Sequence, residues 1–119
     1  MDKARDTGLE FDPKFDGLGL LTAVVTDAED GTVLMVGHMN AESLAKSRET
    51  GTAVFFSRSR QRLWQKGESS GHFLHIVEML IDCDQDAIWI KARADGPTCH
   101  TGVKSCFYRK IGVDGLEPA

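Results

Sequence analysis

The sequence predicts an α+β domain that is predominantly β, with one short helix. Three observations carry this reading. β-branched and aromatic runs of strand length recur along the chain, turn signals such as Asp30-Gly31 and Gly96-Pro97 separate them, and one segment alone has helix signals at both ends.

Residues 1–18 read as irregular. Leu20 to Thr26 and Thr32 to Met39 are two apolar runs around Asp27-Ala28-Glu29-Asp30-Gly31, an antiparallel hairpin. Asn40 suits a helix N-cap and Gly51 a left-handed C-terminal cap, so the spacing predicts a helix over 41–50. Beyond it, TAVFFSR, HFLHIVEMLID and AIWIKARA read as strands. Cys83-Asp84-Gln85-Asp86 is short enough to turn between the last two. Chemistry-bearing residues therefore fall at strand ends.

A length of 119 residues, 41% hydrophobic and 27% charged, matches a single domain over 1–119, and a partner subunit would enlarge its modest core. No apolar run approaches the length of a membrane span, and MDKARDTGLEFD lacks the apolar centre of a signal peptide, so a cytoplasmic address is expected. A net charge of -4 argues against binding a nucleic acid backbone. Three cysteines cannot all pair within one chain, and in a reducing compartment they read better as ligands or nucleophiles than as staples.

Three constellations stand out. Asp82, Asp84 and Asp86 alternate around Cys83. Such carboxylates form a solvated acidic turn or, with a cation to neutralise their repulsion, a Mg²⁺ site. If extended, the run sends Asp82 and Asp84 to one face and Cys83 to the other, which implies two different metals. Next, Cys99 and Cys106 flank His100-Thr101-Gly102 at a separation too wide for a structural zinc knuckle. Buried inert thiols are the plain alternative. Three thiolates on Zn²⁺ would leave one open position, and His100 is then either the auxiliary base, a fourth ligand or a hydrogen-bonded turn residue. Last, Ser57, Arg58, Ser59, Arg60, Arg62, Trp64, Lys66, Glu68, Ser69 and Ser70 crowd one loop-like stretch. Such a run is commonly a solvated face. Its guanidinium forks, hydroxyls and indole also suit phosphate and base binding in a nucleotide-sized ligand.

Met39-Asn40, Ser57-Arg58-Ser59-Arg60, Leu63-Trp64, Lys66-Gly67-Glu68, Ser69-Ser70-Gly71, the Asp-Cys-Asp-x-Asp run, Cys99-His100-Thr101-Gly102 and Ser105-Cys106-Phe107 together resemble the phosphoribosyl-AMP cyclohydrolase family, from about Leu20 to Arg109. The resemblance implies the third step of histidine biosynthesis: water opens the adenine ring of N1-(5-phosphoribosyl)-AMP between N1 and C6. It implies a mixed, buckled sheet curled into a pseudo-barrel, an intertwined homodimer, and zinc held by Cys99, Cys106 and Cys83 of the partner subunit. It further implies Mg²⁺ on Asp82, Asp84 and Asp86, a functional His100 beside the zinc, and a monofunctional chain without the pyrophosphohydrolase domain. Two positions depart from the family pattern: Gln85, where Gly is frequent and tolerates positive φ better, and His72, where Asn commonly follows Ser-Ser-Gly. His38, His72 and His75 read as structural. Neither H-x-E nor P-C-x-x-C is present, which argues against a nucleobase deaminase. A zinc-stabilised module holding RNA or a phosphorylated protein is the non-enzymatic alternative.

Overall fold

The computed structural model describes residues 3–119. Its elements, in order, are α1 (Lys3–Thr7), β1 (Leu21–Asp27), β2 (Val33–Met39), α2 (Ala41–Thr50), β3 (Val54–Ser57), β4 (Arg62–Gln65), β5 (Leu74–Ile81), β6 (Ala87–Ala94), β7 (Arg109–Ile111) and β8 (Leu116–Pro118). Among the described residues no helix is long and apolar enough to cross a membrane.

The centre is a mixed sheet in the order β2-β1-β6-β5. β1 and β2 form the expected antiparallel hairpin, β5 and β6 form another around residues 82–86, and β1 runs parallel to β6. Strand alternation turns Leu21, Ala23, Val25, Met35, Met39, Ile88, Ile90 and Ala92 inward, all of them buried. Over that face lie α2 and the β3–β4 hairpin. Phe55 is fully buried there, 5.3 Å from the Trp64 ring, and it packs so tightly on Gly37 that a Cβ at that position would lie 2.7 Å from its ring.

Helix α2 ends where the sequence predicts. The Asn40 side chain accepts from the Ser43 amide at 2.8 Å, Ser43 Oγ accepts from the Asn40 amide at 2.9 Å, and Gly51 closes the helix at φ +73°. Ser47 is buried without penalty because its hydroxyl donates to the Val54 carbonyl at 3.1 Å and accepts from the Val54 amide at 2.9 Å, stapling the helix to β3.

Three expectations are corrected. Residues 3–7 are helical rather than irregular, while Met1 and Asp2 lie outside the described residues. Part of the basic stretch is strand, because Phe55 opposite Trp64 and Phe56 opposite Leu63 pull β4 onto β3. Finally, the sheet of one chain is open rather than closed into a pseudo-barrel: β2 and β5 are its edges, and β3–β4 and β7–β8 are separate two-stranded sheets.

The outer face of the sheet is unusual for an exposed surface. Val36, Val24, Trp89 and Leu80 are successive cross-strand neighbours, so one apolar row crosses all four strands. Val36, Trp89 and Leu80 are 43%, 44% and 36% exposed.

Candidate active site

A cleft of about 400 Å³ brings much of the basic stretch against the cysteine loop. Arg60, Trp64, Lys66, Glu68, Ser69 and Ser70 form one wall; Thr98, Cys99 and His100 form the other, with His72 beside them. The chain can fold this way because Gly67 takes φ +99° and lets the backbone of His72 and Phe73 pass where a side chain would stand. The turn is closed by the Glu68 amide on the Gln65 carbonyl at 3.0 Å and the Gly71 amide on the Gly67 carbonyl at 2.7 Å. Lys66 Nζ lies over the Trp64 ring, 5.7 Å from its centroid, so a cation stands on one face of a plane fit for stacking.

The cysteine wall is tied to the C-terminal end of β1 and the N-terminal end of β2. The Cys106 amide donates to the Leu34 carbonyl at 2.8 Å, and Lys104 Nζ reaches Asp27 at 3.3 Å and Asp30 at 2.5 Å. Within the loop, the Cys99 amide donates to the Val103 carbonyl at 3.1 Å and the Gly102 amide to the Cys99 carbonyl at 2.9 Å. The Thr101 hydroxyl donates to Cys99 Sγ at 3.0 Å, and that bond is the main cause holding the Cys99 thiol below its usual range. Cys106, its neighbour, is pushed up by burial of its sulfur and then by Cys99. Two adjacent thiols, one already favouring the thiolate, suit a thiophilic cation. Thr98 Oγ1, fully buried in the same wall, has no hydrogen-bond partner among the described residues.

The carboxylates gather elsewhere. Oxygens of Asp82, Asp84 and Asp86 lie within 4.8 Å of one another. They meet through a turn, not through strand alternation as an extended run would require: Gln85 has φ +58°, and Asp82 Oδ1 accepts the amides of Asp86 at 2.9 Å and Ala87 at 3.1 Å. Burial alone would raise Asp82, but these amides bring it below the usual carboxylate range. Asp86 is pushed up to about 6 by hydrogen bonds shared with Asp84 and Asp82. Carboxylates this close disfavour ionisation of one another, and three oxygen donors suit a hard divalent cation.

These two groups occupy opposite ends of the sheet. Ala87, next to the carboxylates, pairs with Thr22 at the start of β1, whereas Leu34, which anchors Cys106, stands beside the end of that strand. Among the described residues, the carboxylate trio is the one group of three metal-ligating side chains within reach of a common ion. Cys83 is exposed in the carboxylate turn, so one chain does not unite the three cysteines.

Ser57, Arg58 and Ser59 do not line the Cys99 cleft. Ser57 ends β3 and Arg58 and Ser59 follow it in the β3–β4 turn, and Arg58 acts electrostatically on Asp16 and His38. Asp16 in turn lines a smaller cleft with Asp86. The turn thus splits the basic stretch, sending Arg58 toward the carboxylate end and Arg60 toward the thiol end. Arg62 pairs with Glu68 at 3.5 Å. His75 is bound to Asp95 at 2.8 Å. His72, which departs from the family pattern and reads as structural in the sequence, lines the cleft, as does Thr98, whose signal in the sequence is adjacency to Cys99.

Comparison with known proteins adds an independent line. The family model for phosphoribosyl-AMP cyclohydrolase matches residues 35–108. The chain is 60% identical to the phosphoribosyl-AMP cyclohydrolase of Rhizorhabdus wittichii over 115 residues, 97% of this chain and 93% of that protein. It is 60% identical to the Mesorhizobium japonicum protein of the same name over 95% of this chain and 76% of the relative, and 61% identical to that of Sinorhizobium medicae over 92% and 74%.

Proposed function

The chain belongs to the phosphoribosyl-AMP cyclohydrolase family, and from that premise we propose that it hydrolyses the N1–C6 bond of the adenine ring in N1-(5-phosphoribosyl)-AMP, within histidine biosynthesis. One observation carries the reading: a single cleft sets Arg60, Trp64, Lys66 and the Ser69-Ser70 hydroxyls opposite Cys99 and His100. The substrate bears two phosphates of about -1.5 to -2 each, a base and a ring carbon to be attacked. The cleft offers cations and hydroxyls for a phosphate, an indole plane for the base, and a histidine within the same space for the proton.

Cys99 and Cys106 with Cys83 of the partner subunit form the proposed zinc site, and Asp82, Asp84 and Asp86 the proposed Mg²⁺ site. When bound, zinc supplies Lewis acidity that makes water nucleophilic near neutral pH, and Mg²⁺ neutralises phosphate charge. The protein's own part is geometric and protic. Trp64 orients the purine, Arg60 and Lys66 hold one phosphate, Ser69 and Ser70 donate hydrogen bonds, and Glu68 holds Arg62. His100 accepts the proton released as water attacks C6 and returns one to the departing N1. Ser57, Arg58 and Ser59, on the carboxylate side, take the second phosphate from the other protomer.

The proposal includes a homodimer with shared sites: the separation of the thiols within one chain supports it, and the Val36-Val24-Trp89-Leu80 row is its proposed contact. The test is complementation. Cys83→Ser and Cys99→Ser chains are each inactive alone; co-expressed, they form mixed dimers with one intact site, restoring about a quarter of wild-type activity under random pairing in a two-fold dimer. No recovery would refute site sharing, and loss of turnover of this substrate in the zinc-loaded wild type would refute the assigned reaction.

A further inference from the structure

Gln85 carries a backbone strain that its side chain explains. At φ +58° it occupies the left-handed region that L-residues adopt at a cost, yet it is 4% exposed and every side-chain hydrogen-bonding group is used. Its Oε1 accepts from the Asp12 amide at 2.8 Å, and its Nε2 donates to the carbonyls of Arg5 at 2.9 Å and Glu10 at 3.2 Å. Its own carbonyl accepts from the Lys14 amide at 2.6 Å. Four contacts from one residue therefore bind residues 5–14 across the chain, some 70 to 80 positions away. The segment is also folded on itself, since Arg5 pairs with Asp12 at 2.9 Å. Residues Arg5 to Phe11 form one wall of a cleft whose opposite wall includes Asp82 and Cys83.

We propose that Gln85 is a positioning residue, and that the N-terminal segment it clamps is a strap holding the carboxylate turn in its cation-ready shape. The inference rests on the reading of Asp82, Asp84 and Asp86 as a divalent-cation site. The physical reason is preorganisation. Three carboxylates repel one another before a cation arrives, and the turn opens unless something restrains it. Asp82 pins one side through the amides of Asp86 and Ala87; Gln85, fixed from both its side chain and its carbonyl, pins the other. Releasing the strap lowers the fraction of molecules with the carboxylates assembled, and the apparent affinity falls by that fraction.

The experiment titrates zinc-loaded protein with Mg²⁺ by calorimetry and follows amide hydrogen exchange of residues 5–14. Gln85→Gly eases the backbone and removes the three side-chain contacts of the clamp, leaving only the main-chain bond to Lys14; Arg5→Ala loosens the strap without touching the turn. The Mg²⁺ dissociation constant is expected to rise about 5- to 10-fold in Gln85→Gly and about 2- to 3-fold in Arg5→Ala, with faster exchange at Asp12 and Lys14 in both. A residue that merely completes the turn would leave Arg5→Ala unchanged, and that result overturns the proposal; so does a Gln85→Gly protein with wild-type affinity. If Gln85→Gly fails to fold, Arg5→Ala alone decides. Wild-type protein that binds no Mg²⁺ removes the cation reading itself, and the proposal with it, an outcome distinct from unchanged variants of a protein that binds.

Discussion

Three glycines around the cleft separate backbone strain, backbone collision and side-chain displacement. Gly67→Ala combines the first two. It sits at φ +99°, where an L-residue costs about 1–2 kcal/mol, and its new Cβ would lie 2.7 Å from the carbonyl of His72 and the amide nitrogen of Phe73. Those are backbone atoms that cannot swing aside, so relief requires moving residues 72 and 73 at a further cost of about 1–2 kcal/mol. Gly71→Ala supplies the control: φ is +79° but none of the described residues beyond its chain neighbours lies within 4 Å, so it should cost backbone strain alone, about 1 kcal/mol. At Gly96 no positive φ intervenes, and a Cβ would meet the His72 imidazole at 2.9 Å. A ring can rotate, so Gly96→Ala should cost less than about 1 kcal/mol while displacing His72 in the cleft. Thermal unfolding by circular dichroism, at fixed protomer concentration, should place Gly67→Ala about 8–16 °C below wild type and Gly71→Ala about 4 °C below. kcat/KM should fall in Gly67→Ala and Gly96→Ala but not in Gly71→Ala. If Gly67→Ala melts with Gly71→Ala, the backbone approach that shapes this wall is not what the geometry says.

His100→Ala should lower kcat by about 10²- to 10⁴-fold with zinc content by elemental analysis unchanged, the range for losing an acid-base group; unchanged turnover removes it from proton transfer. Trp89→Glu places a charge in the middle of the apolar row and should yield monomers in sedimentation velocity; a persistent dimer would move the interface elsewhere. Asp86, raised to about 6, binds its proton more tightly folded than unfolded. Between about pH 4 and 6 the native state then holds the extra proton, so stability of the metal-free protein declines as pH rises through that window. Mg²⁺ affinity should strengthen over the same interval, because the ion competes with that proton, and carboxyl NMR titration with and without Mg²⁺ checks both. Stripping the metals with a chelator should abolish activity yet leave far-ultraviolet dichroism intact, since the core of Leu21, Val25, Leu34, Phe55 and Ile90 is built without metal; unfolding on chelation would make the zinc structural.

What the sequence made legible is what local chemistry determines. Asn40 and Gly51 bracket α2 because a helix end needs a side-chain acceptor at one terminus and a left-handed residue at the other. β1, β2, β5 and β6 announce themselves by branched residues on both faces. β4 stayed hidden because Arg62 and Gln65 flank only two apolar residues, and its strand character comes from Phe55 and Phe56 across the ladder. β7 and β8 are three residues each, every one of them exposed, so no burial pattern marks them. The carboxylate trio was visible as a motif, but its turn geometry was not, since it depends on Gln85 adopting positive φ under contacts from residues 5–14. The parting of Arg58 from Arg60 was equally invisible: it arises where the chain reverses between β3 and β4.

The parallel pairing of β1 with β6 has the largest consequence for function. It fixes Cys83 before β6 and Cys99 after it, with eight extended residues between them, a span of roughly 25 Å. A zinc–thiolate bond is about 2.3 Å long, so no side-chain rotation unites these sulfurs within one chain. In the proposed homodimer, a two-fold axis lying between two packed outer faces and running across the strands would do so. It would reverse the partner's β6 and bring the carboxylate and Cys83 end of one protomer to the Cys99 end of the other. The apolar row Val36-Val24-Trp89-Leu80 crosses the sheet between those ends, along the line such an axis would follow. In that proposed dimer, association and metal capture would be one equilibrium: apolar burial would bring the half-sites together, and each ion shared between chains would add its binding free energy to the association.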